Sequence, residues 1–269
     1  MSGTPGVRGR VVVVTGGTRG VGAGIARAFL RAGAEVVVCA RRPPGEPVAA
    51  EGRSARYLPA DLRDPDAAEA VLARVVDGHG RIDTLVNNAG GTPFRLLDEA
   101  PASRHARVLE LNLLVPLTVS LAAHRIMREQ PDGGSIVMIG SVSGTRPSPG
   151  TAAYGAAKAG LEHLARTMAV EWAPAVRVNT LVAGMVRTES AALHYGDEQG
   201  VAAVARTVPA GRLAEPDDIG EAAVFLASDR AAYITGAALL VHGGGERPAF
   251  LAAADVNHRP VRSRHDRDL

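Results

Sequence analysis

One cysteine, Cys39, stands in a chain of 269 residues, so no internal disulfide can form and the small stapled scaffolds of secreted proteins are excluded. Aromatic residues are scarce as well, at 3%. With few rings on which bases could stack and a formal charge of only +2, nucleic acid is not an expected partner. No apolar run approaches the roughly 18 to 20 residues of a membrane span, and Met1 to Arg10 lacks the apolar stretch of a secretory signal. A cytoplasmic protein with no membrane partner is therefore expected. The histidines and Cys39 show no metal-ligand spacing, and no metal is expected. Lysine is the rarest charge: among 30 lysines and arginines, Lys158 is the one lysine. Abundant Ala, Gly and Pro suggest a coding bias that turns basic positions into arginine wherever either residue serves, which makes Lys158 the exception to explain.

The bulk composition, 46% hydrophobic and 22% charged, is that of a globular protein rather than a disordered one. Short β-branched runs recur along it at Arg10 to Thr15, Glu35 to Cys39, Ile82 to Val86, Ser135 to Ile139, Val176 to Val182 and Ala238 to Val241, with Arg56 to Pro59 a weaker candidate. Continuous apolar runs of this kind are buried on both faces. Between them lie stretches with helical spacing: Val21 to Ala32, Asp66 to Val76, Ser103 to Arg128, Ala152 to Trp172 and Asp217 to Ala227. Alternation of strand and helix predicts an α/β fold, a Rossmann-type doubly wound parallel sheet of seven strands with helices on both faces. No linker or composition shift divides residues 1–256, so they are expected to form one domain, with the polar, arginine-rich residues 257–269 a frayed tail. Glu189 to Arg212 is long for a connection and is a candidate lid.

The first strand leads directly into Thr15-Gly16-Gly17-Thr18-Arg19-Gly20-Val21-Gly22 and then a helix. Glycines at 16, 20 and 22 permit a tight turn and close approach of backbone to phosphate, while the helix N-terminus offers N–H groups and positive dipole to an anion. At the first strand-to-helix turn this pattern points to a dinucleotide. The second strand ends Cys39-Ala40-Arg41-Arg42, with no carboxylate to take a ribose 2′-hydroxyl. Arg41, together with Arg19, favours a 2′-phosphate and hence NADP(H), NAD(H) being the alternative.

Tyr154 and Lys158, four residues apart within a helical stretch, share one face. An adjacent ammonium favours the phenolate and is expected to lower the tyrosine pKa. Arginine could supply charge there, but its planar fork and high pKa suit it poorly to passing protons. Exposed Tyr and Lys at this spacing are also common as plain surface residues; the solitary lysine is what favours chemistry.

With these motifs in their order, the chain resembles a short-chain dehydrogenase/reductase over about residues 10 to 245, and its C-terminal part, Gly211 to Gly236, resembles bacterial 3-oxoacyl reductases. The resemblance implies that Thr18, Arg19, Gly20 and Val21 meet the cofactor phosphates. It implies that Asp61 and Leu62 meet the adenine, that Asn88, Ala89 and Gly90 border the cofactor, and that Val186 and Thr188 meet the nicotinamide carboxamide. It further implies Tyr154 as general acid or base, Ser141 holding the substrate oxygen, Lys158 binding the nicotinamide ribose as well as tuning Tyr154, and Asn112 fixing a water on the proton path. A small-molecule ketone or secondary alcohol would be the substrate, and a homotetramer (or homodimer) the assembly. Arg95, Arg146, Met185, Arg187 and the segment from His194 to Val208 would border the substrate.

Some positions depart from the pattern. Ala183-Gly184 stands where the family has Pro-Gly, His242 where an Asp is frequent, and Ala173-Pro174-Ala175 where carrier-protein reductases commonly have a basic residue. A non-catalytic dinucleotide-binding sensor or scaffold would have lost Tyr154 or Lys158. An epimerase of the extended branch would have a different glycine spacing and a larger C-terminal region, and a methyltransferase would call for neither residue.

Overall fold

Four successive valines, Val11 to Val14, are all fully or nearly fully buried, and they divide by parity: Val11 and Val13 join one apolar core, Val12 and Val14 another. A strand turns alternate side chains to opposite faces, so an unbroken apolar run can be solvated on neither. The computed structural model, which describes residues 6–254, builds the whole sheet on this rule. Its strands are β1 (Val11–Thr15), β2 (Glu35–Ala40), β3 (Arg56–Pro59), β4 (Thr84–Asn87), β5 (Gly134–Ser141), β6 (Val176–Ala183) and β7 (Ala238–Val241). All seven are parallel, in the order β3-β2-β1-β4-β5-β6-β7. The order reverses between β1 and β4, and the crevice outside the carboxyl ends of such strands is where sheets of this kind take ligands.

Helices cover both faces. On one lie α1 (Gly20–Arg31) and α8 (Pro216–Ala227), contributing Ile25, Phe29, Ile219 and Ala223. On the other lie α2 (Pro65–His79), α4 (Val115–Met127) and α5 (Ala152–Trp172), contributing Leu72, Val75, Val119, Ala123, Leu161 and Ala165. The expected α/β architecture and strand count stand as read from the sequence.

Five features differ from expectation. The helix expected over Ser103 to Arg128 runs as α3 (Ala102–Leu109), a π-helical turn (Glu110–Leu114) and α4; Val115 N–H closes a bond to the Glu110 carbonyl, five residues back. By length and hydropathy this same helix meets the requirements of a membrane span, against the expectation of no such run; here Val119, Ala123 and Met127 bury it in the core. The long connection after β6 holds two helices, α6 (Ala192–Tyr195) and α7 (Glu198–Thr207). A two-stranded antiparallel hairpin, Ala49–Ala50 with Arg53–Ser54, has no counterpart among the expected elements; its residues are too few to show periodicity. A short helix, α9 (Ala249–Ala253), ends the described chain, and the tail expected over residues 257–269 lies outside the described residues.

Candidate active site

The glycine turn after β1 is held by side chains from the neighbouring strand end. Thr15 Oγ1 accepts from the N–H groups of Asn88 and Ala89, each at 2.9 Å. Asn88 Nδ2 donates back to the carbonyls of Thr15 (2.9 Å) and Gly16 (3.2 Å). A Cβ on Gly22 would lie 2.3 Å from the Gly16 carbonyl oxygen and 2.4 Å from Asn88 Nδ2, so a side chain is excluded there by backbone that has nowhere to move. Asn88 therefore braces the turn with its side chain.

The first turn of α1 remains open to an anion. Its N-cap, Arg19, provides no side-chain cap, and the turn contains no acidic residue, so first-turn N–H groups lack intrahelical acceptors. One of them, that of Gly20, already donates to a carboxylate, Glu189 Oε1, at 2.9 Å. A cavity of about 940 Å³ opens here, lined among others by Thr18, Arg19, Gly20, Arg187, Thr188 and Glu189. Ser141, Tyr154 and Lys158 are not among its walls. An open helix N-terminus that captures a carboxylate is the environment a dinucleotide diphosphate requires, and the residues fit that group.

Beyond the second strand, Arg41 is exposed, and its charge helps hold the Asp61 carboxyl low. Arg63 acts more strongly on Asp61, donating from Nε to Oδ1 at 2.9 Å, and it brings the carboxyl down to about 2. Leu62 is buried in the core beneath. Among the described residues, neither Arg19 nor Arg41 is engaged in an ion pair. Val186 pairs with Ala214 across a short parallel bridge, which sets the start of the segment carrying Thr188.

Asn112 lies within the π turn, fully buried. Its Oδ1 accepts from Gly91 N–H at 2.9 Å, and Nδ2 donates to the carbonyls of Gly91 and Val108, both at 2.9 Å. A Cβ on Gly90 would meet Asn112 Oδ1 at 2.5 Å and Lys158 Nζ at 3.6 Å, so the turn, Asn112 and Lys158 are packed together. Through these bonds the Asn112 side chain fixes the turn.

Ser141 ends β5, and Tyr154 and Lys158 stand in the first two turns of α5. The Ser141 side chain stands beside the Tyr154 phenol and favours its charged form, and Ser141 Oγ accepts from Ser143 N–H at 3.2 Å. Lys158 is only 4% exposed. Its Nζ donates to the Ile139 carbonyl at 2.7 Å and lies 5.5 Å from the centroid of the Tyr154 ring. Burial brings the Lys158 ammonium down to about 8. The expected lowering of Tyr154 is not what the structure shows. Burial raises its pKa, the Ser141 side chain opposes this in part, and the nearby Tyr195 phenol adds to the rise. Desolvation disfavours every charged form, the phenolate included, and is the largest influence on this one.

Tyr195, on α6, packs with Met185, Val201 and Leu213 over this end of the sheet. Arg146 is ion-paired with Glu246, and both charges act on Tyr195. Arg95 reaches the same rim through its backbone, donating to the Gly150 carbonyl at 2.8 Å, whereas Arg187 faces the α1 cavity and pairs with Glu198 at 3.0 Å. Two participants escape a sequence reading: Glu189 and Glu246 belong to no short motif. Among the described residues no cluster suited to a metal ion occurs.

Residues 16–246 match a family described as enoyl-(acyl carrier protein) reductase. The chain is 39% identical over 241 residues to the 3-oxoacyl-[acyl-carrier-protein] reductase of Vibrio cholerae, covering 88% of this chain and 98% of that one. It is 36% identical over 245 residues to the L-rhamnose 1-dehydrogenase (NAD(P)(+)) of Azotobacter vinelandii, covering 87% and 96%. The ligand-free aldohexose dehydrogenase of Thermoplasma acidophilum superposes with a TM-score of 0.82 at 29% identity, covering 88% and 94%.

Proposed function

Because the chain belongs to the short-chain dehydrogenase/reductase family, and is thereby an NAD(P)-dependent oxidoreductase acting on CH–OH groups, we propose that it reduces a ketone to a secondary alcohol with NADPH, Tyr154 serving as general acid. The observation that carries this reading is the grouping of Ser141, at the end of β5, with Tyr154 and Lys158 on the first two turns of α5. The phenol, its pKa raised further by burial, is at neutral pH in the protonated form needed to give a proton to a carbonyl oxygen as alkoxide charge develops. When bound, the nicotinamide supplies the hydride. Ser141 orients the substrate oxygen toward the phenol, and Lys158, 5.5 Å from the ring, stabilises the phenolate left behind. Asn112, bonded to Gly91 in the turn that packs beside Lys158, fixes a water on the proton path.

On the same reading, Gly16, Thr18, Arg19, Gly20, Val21 and Gly22 take the diphosphate, Asp61 and Leu62 the adenine, Asn88, Ala89 and Gly90 the middle of the cofactor, and Val186 and Thr188 the carboxamide. Lys158 and Tyr154 meet the nicotinamide ribose. NADPH is preferred over NADH because Arg19 and Arg41 form no ion pair among the described residues and no acid ends β2; a guanidinium suits a phosphate, and an acid would repel one.

The protein is proposed to be a single catalytic domain in the cytoplasm, where its buried lone thiol stays reduced, and to assemble as a homotetramer or homodimer. Exposed Leu114, Leu121 and Val170 on the outer helices, and Leu240 on edge strand β7, are surfaces that assembly would cover. Purified protein incubated with NADPH or NADH and a panel of a neutral ketone, a 3-oxoacyl thioester and a sugar ketone tests the reading. Cofactor oxidation with at least one carbonyl, faster with NADPH, is expected. Failure to bind either nucleotide, or binding without turnover of any ketone, would overturn it.

A further inference from the structure

Among the described residues, the bond between Gly20 N–H and Glu189 is the one hydrogen bond that joins the glycine turn to the segment leading into α6 and α7 by a charged side chain. Glu189 is exposed and, among the described residues, has no cation within ion-pair distance; Arg187 two residues earlier is occupied by Glu198. Its carboxylate thus rests on the helix dipole rather than on a counter-charge. The neighbouring residues explain how it reaches there. Arg187 N–H is anchored to the Ala214 carbonyl at 2.7 Å, and Ala191 N–H closes a turn onto the Thr188 carbonyl at 2.9 Å, so Glu189 projects from a tight turn immediately before α6. The same position borders the cavity with Thr18, Arg19 and Gly20.

We infer that the Glu189 carboxylate is an internal competitor of the cofactor diphosphate: it holds the first turn of α1 when no nucleotide is present and must leave when one binds. This rests on the dinucleotide reading of the glycine turn. Two negative groups cannot share one set of N–H donors, so the apparent affinity for nucleotide is reduced by the fraction of molecules in which Glu189 is seated. Its departure releases the 187–196 segment, and the segment is free to close over the nucleotide only after the exchange. An exposed carboxylate at a helix N-terminus contributes modestly, so the cost to affinity is roughly 2- to 5-fold.

The test is nucleotide binding, not turnover. NADPH, NADH, inorganic diphosphate and 2′-AMP are titrated into wild-type protein and into Glu189→Gln, which keeps an acceptor oxygen and removes the charge. Tighter binding of NADPH, NADH and diphosphate by the same roughly 2- to 5-fold, with 2′-AMP unchanged because it lacks the diphosphate, is the expected result. In nucleotide-free Glu189→Ala, amide hydrogen exchange over residues 187–196 is expected to quicken. NADPH affinity that is unchanged or weaker in Glu189→Gln, with 2′-AMP binding intact, overturns the inference while leaving the cofactor reading standing. Wild-type protein that binds no nucleotide overturns both.

Discussion

Lys158 Nζ donates its hydrogen bond to the Ile139 carbonyl at 2.7 Å while standing 5.5 Å from the centre of the Tyr154 ring. The lysine is thus fixed by the main chain of the strand that ends in Ser141, and the distance between ammonium and phenol is set by the packing of α5 on β5 rather than by the pair itself. Removing the phenolic oxygen leaves this arrangement in place. Tyr154→Phe is therefore expected to lose about 100- to 10,000-fold in kcat while NADPH affinity, measured by fluorescence titration, stays near wild type. Retention of most of the turnover would remove Tyr154 from the mechanism.

The pH dependence follows from the two side chains together. Tyr154 lies above its ordinary value and stays protonated at neutral pH, whereas Lys158 titrates at about 8. Ketone reduction should be level through neutrality and fall as pH rises through 8, when the ammonium beside the phenol is lost. A rate that climbs through pH 8 would contradict this.

The same lysine bears on stability. Its folded value is below that of the unfolded chain, so below pH 8 the buried ammonium costs stability, and the cost fades as pH rises from about 8 towards 10.5. Lys158→Met is expected to raise stability at pH 7 by about 1–3 kcal/mol, since a tenfold change in a protonation equilibrium corresponds to about 1.4 kcal/mol, and to abolish turnover. Chemical denaturation of both proteins at pH 7 and pH 10 reads this directly: the advantage of the variant should shrink at the higher pH.

Cofactor choice depends on Arg41. Arg41→Ala is expected to lower kcat/KM for NADPH by about 10-fold, the scale of one charge-assisted contact, and to leave NADH nearly unaffected. Adding Ala40→Asp should reverse the preference. An equal loss with both cofactors would place Arg41 outside the 2′-phosphate site.

Gly22→Ala probes the turn. The added methyl would come within 2.3 Å of the Gly16 carbonyl and 2.4 Å of Asn88 Nδ2, so it must displace either the backbone or the brace. A loss of about 1–3 kcal/mol in stability is expected, together with weakened binding of NADPH and NADH alike.

The sheet is legible in the sequence because its strands are buried on both faces and therefore spelled out in valine, isoleucine and leucine; Val11 to Val14 needs no context to read. Ala152–Trp172 is legible to the residue for a similar reason, its alanines and apolar spacing leaving one conformation favoured. Tyr154, Lys158 and the glycine turn stand out because their residue types have few alternative uses at that spacing. What the sequence hides depends on distance rather than order. The tyrosine pKa moves opposite to the expected direction because burial is decided by α6 and by packing from elsewhere in the chain. The contacts of Glu189 with Gly20 and of Glu246 with Arg146 join residues 169 and 100 positions apart. The hairpin at Ala49 to Ser54 is too short for any period, and the helices between 189 and 212 carry little apolar signal because only Val201 of α7 is buried.

The π turn at Glu110–Leu114 makes chain length itself a functional variable. One surplus residue is accommodated there without breaking the helix, and in an α-helix each residue turns the face by about 100°. The faces of α3 and α4 are therefore out of phase by one position. A single-residue deletion inside the turn would let the helix run straight through, keeping α4 seated on the sheet while rotating Asn112 away from Gly91. Such a deletion would leave the apolar residues of α4 in the core, yet it would uncouple the helix from the turn against which Lys158 packs. A protein of this architecture could in this way pass from enzyme to inert binder by losing one residue that no substitution scan would sample.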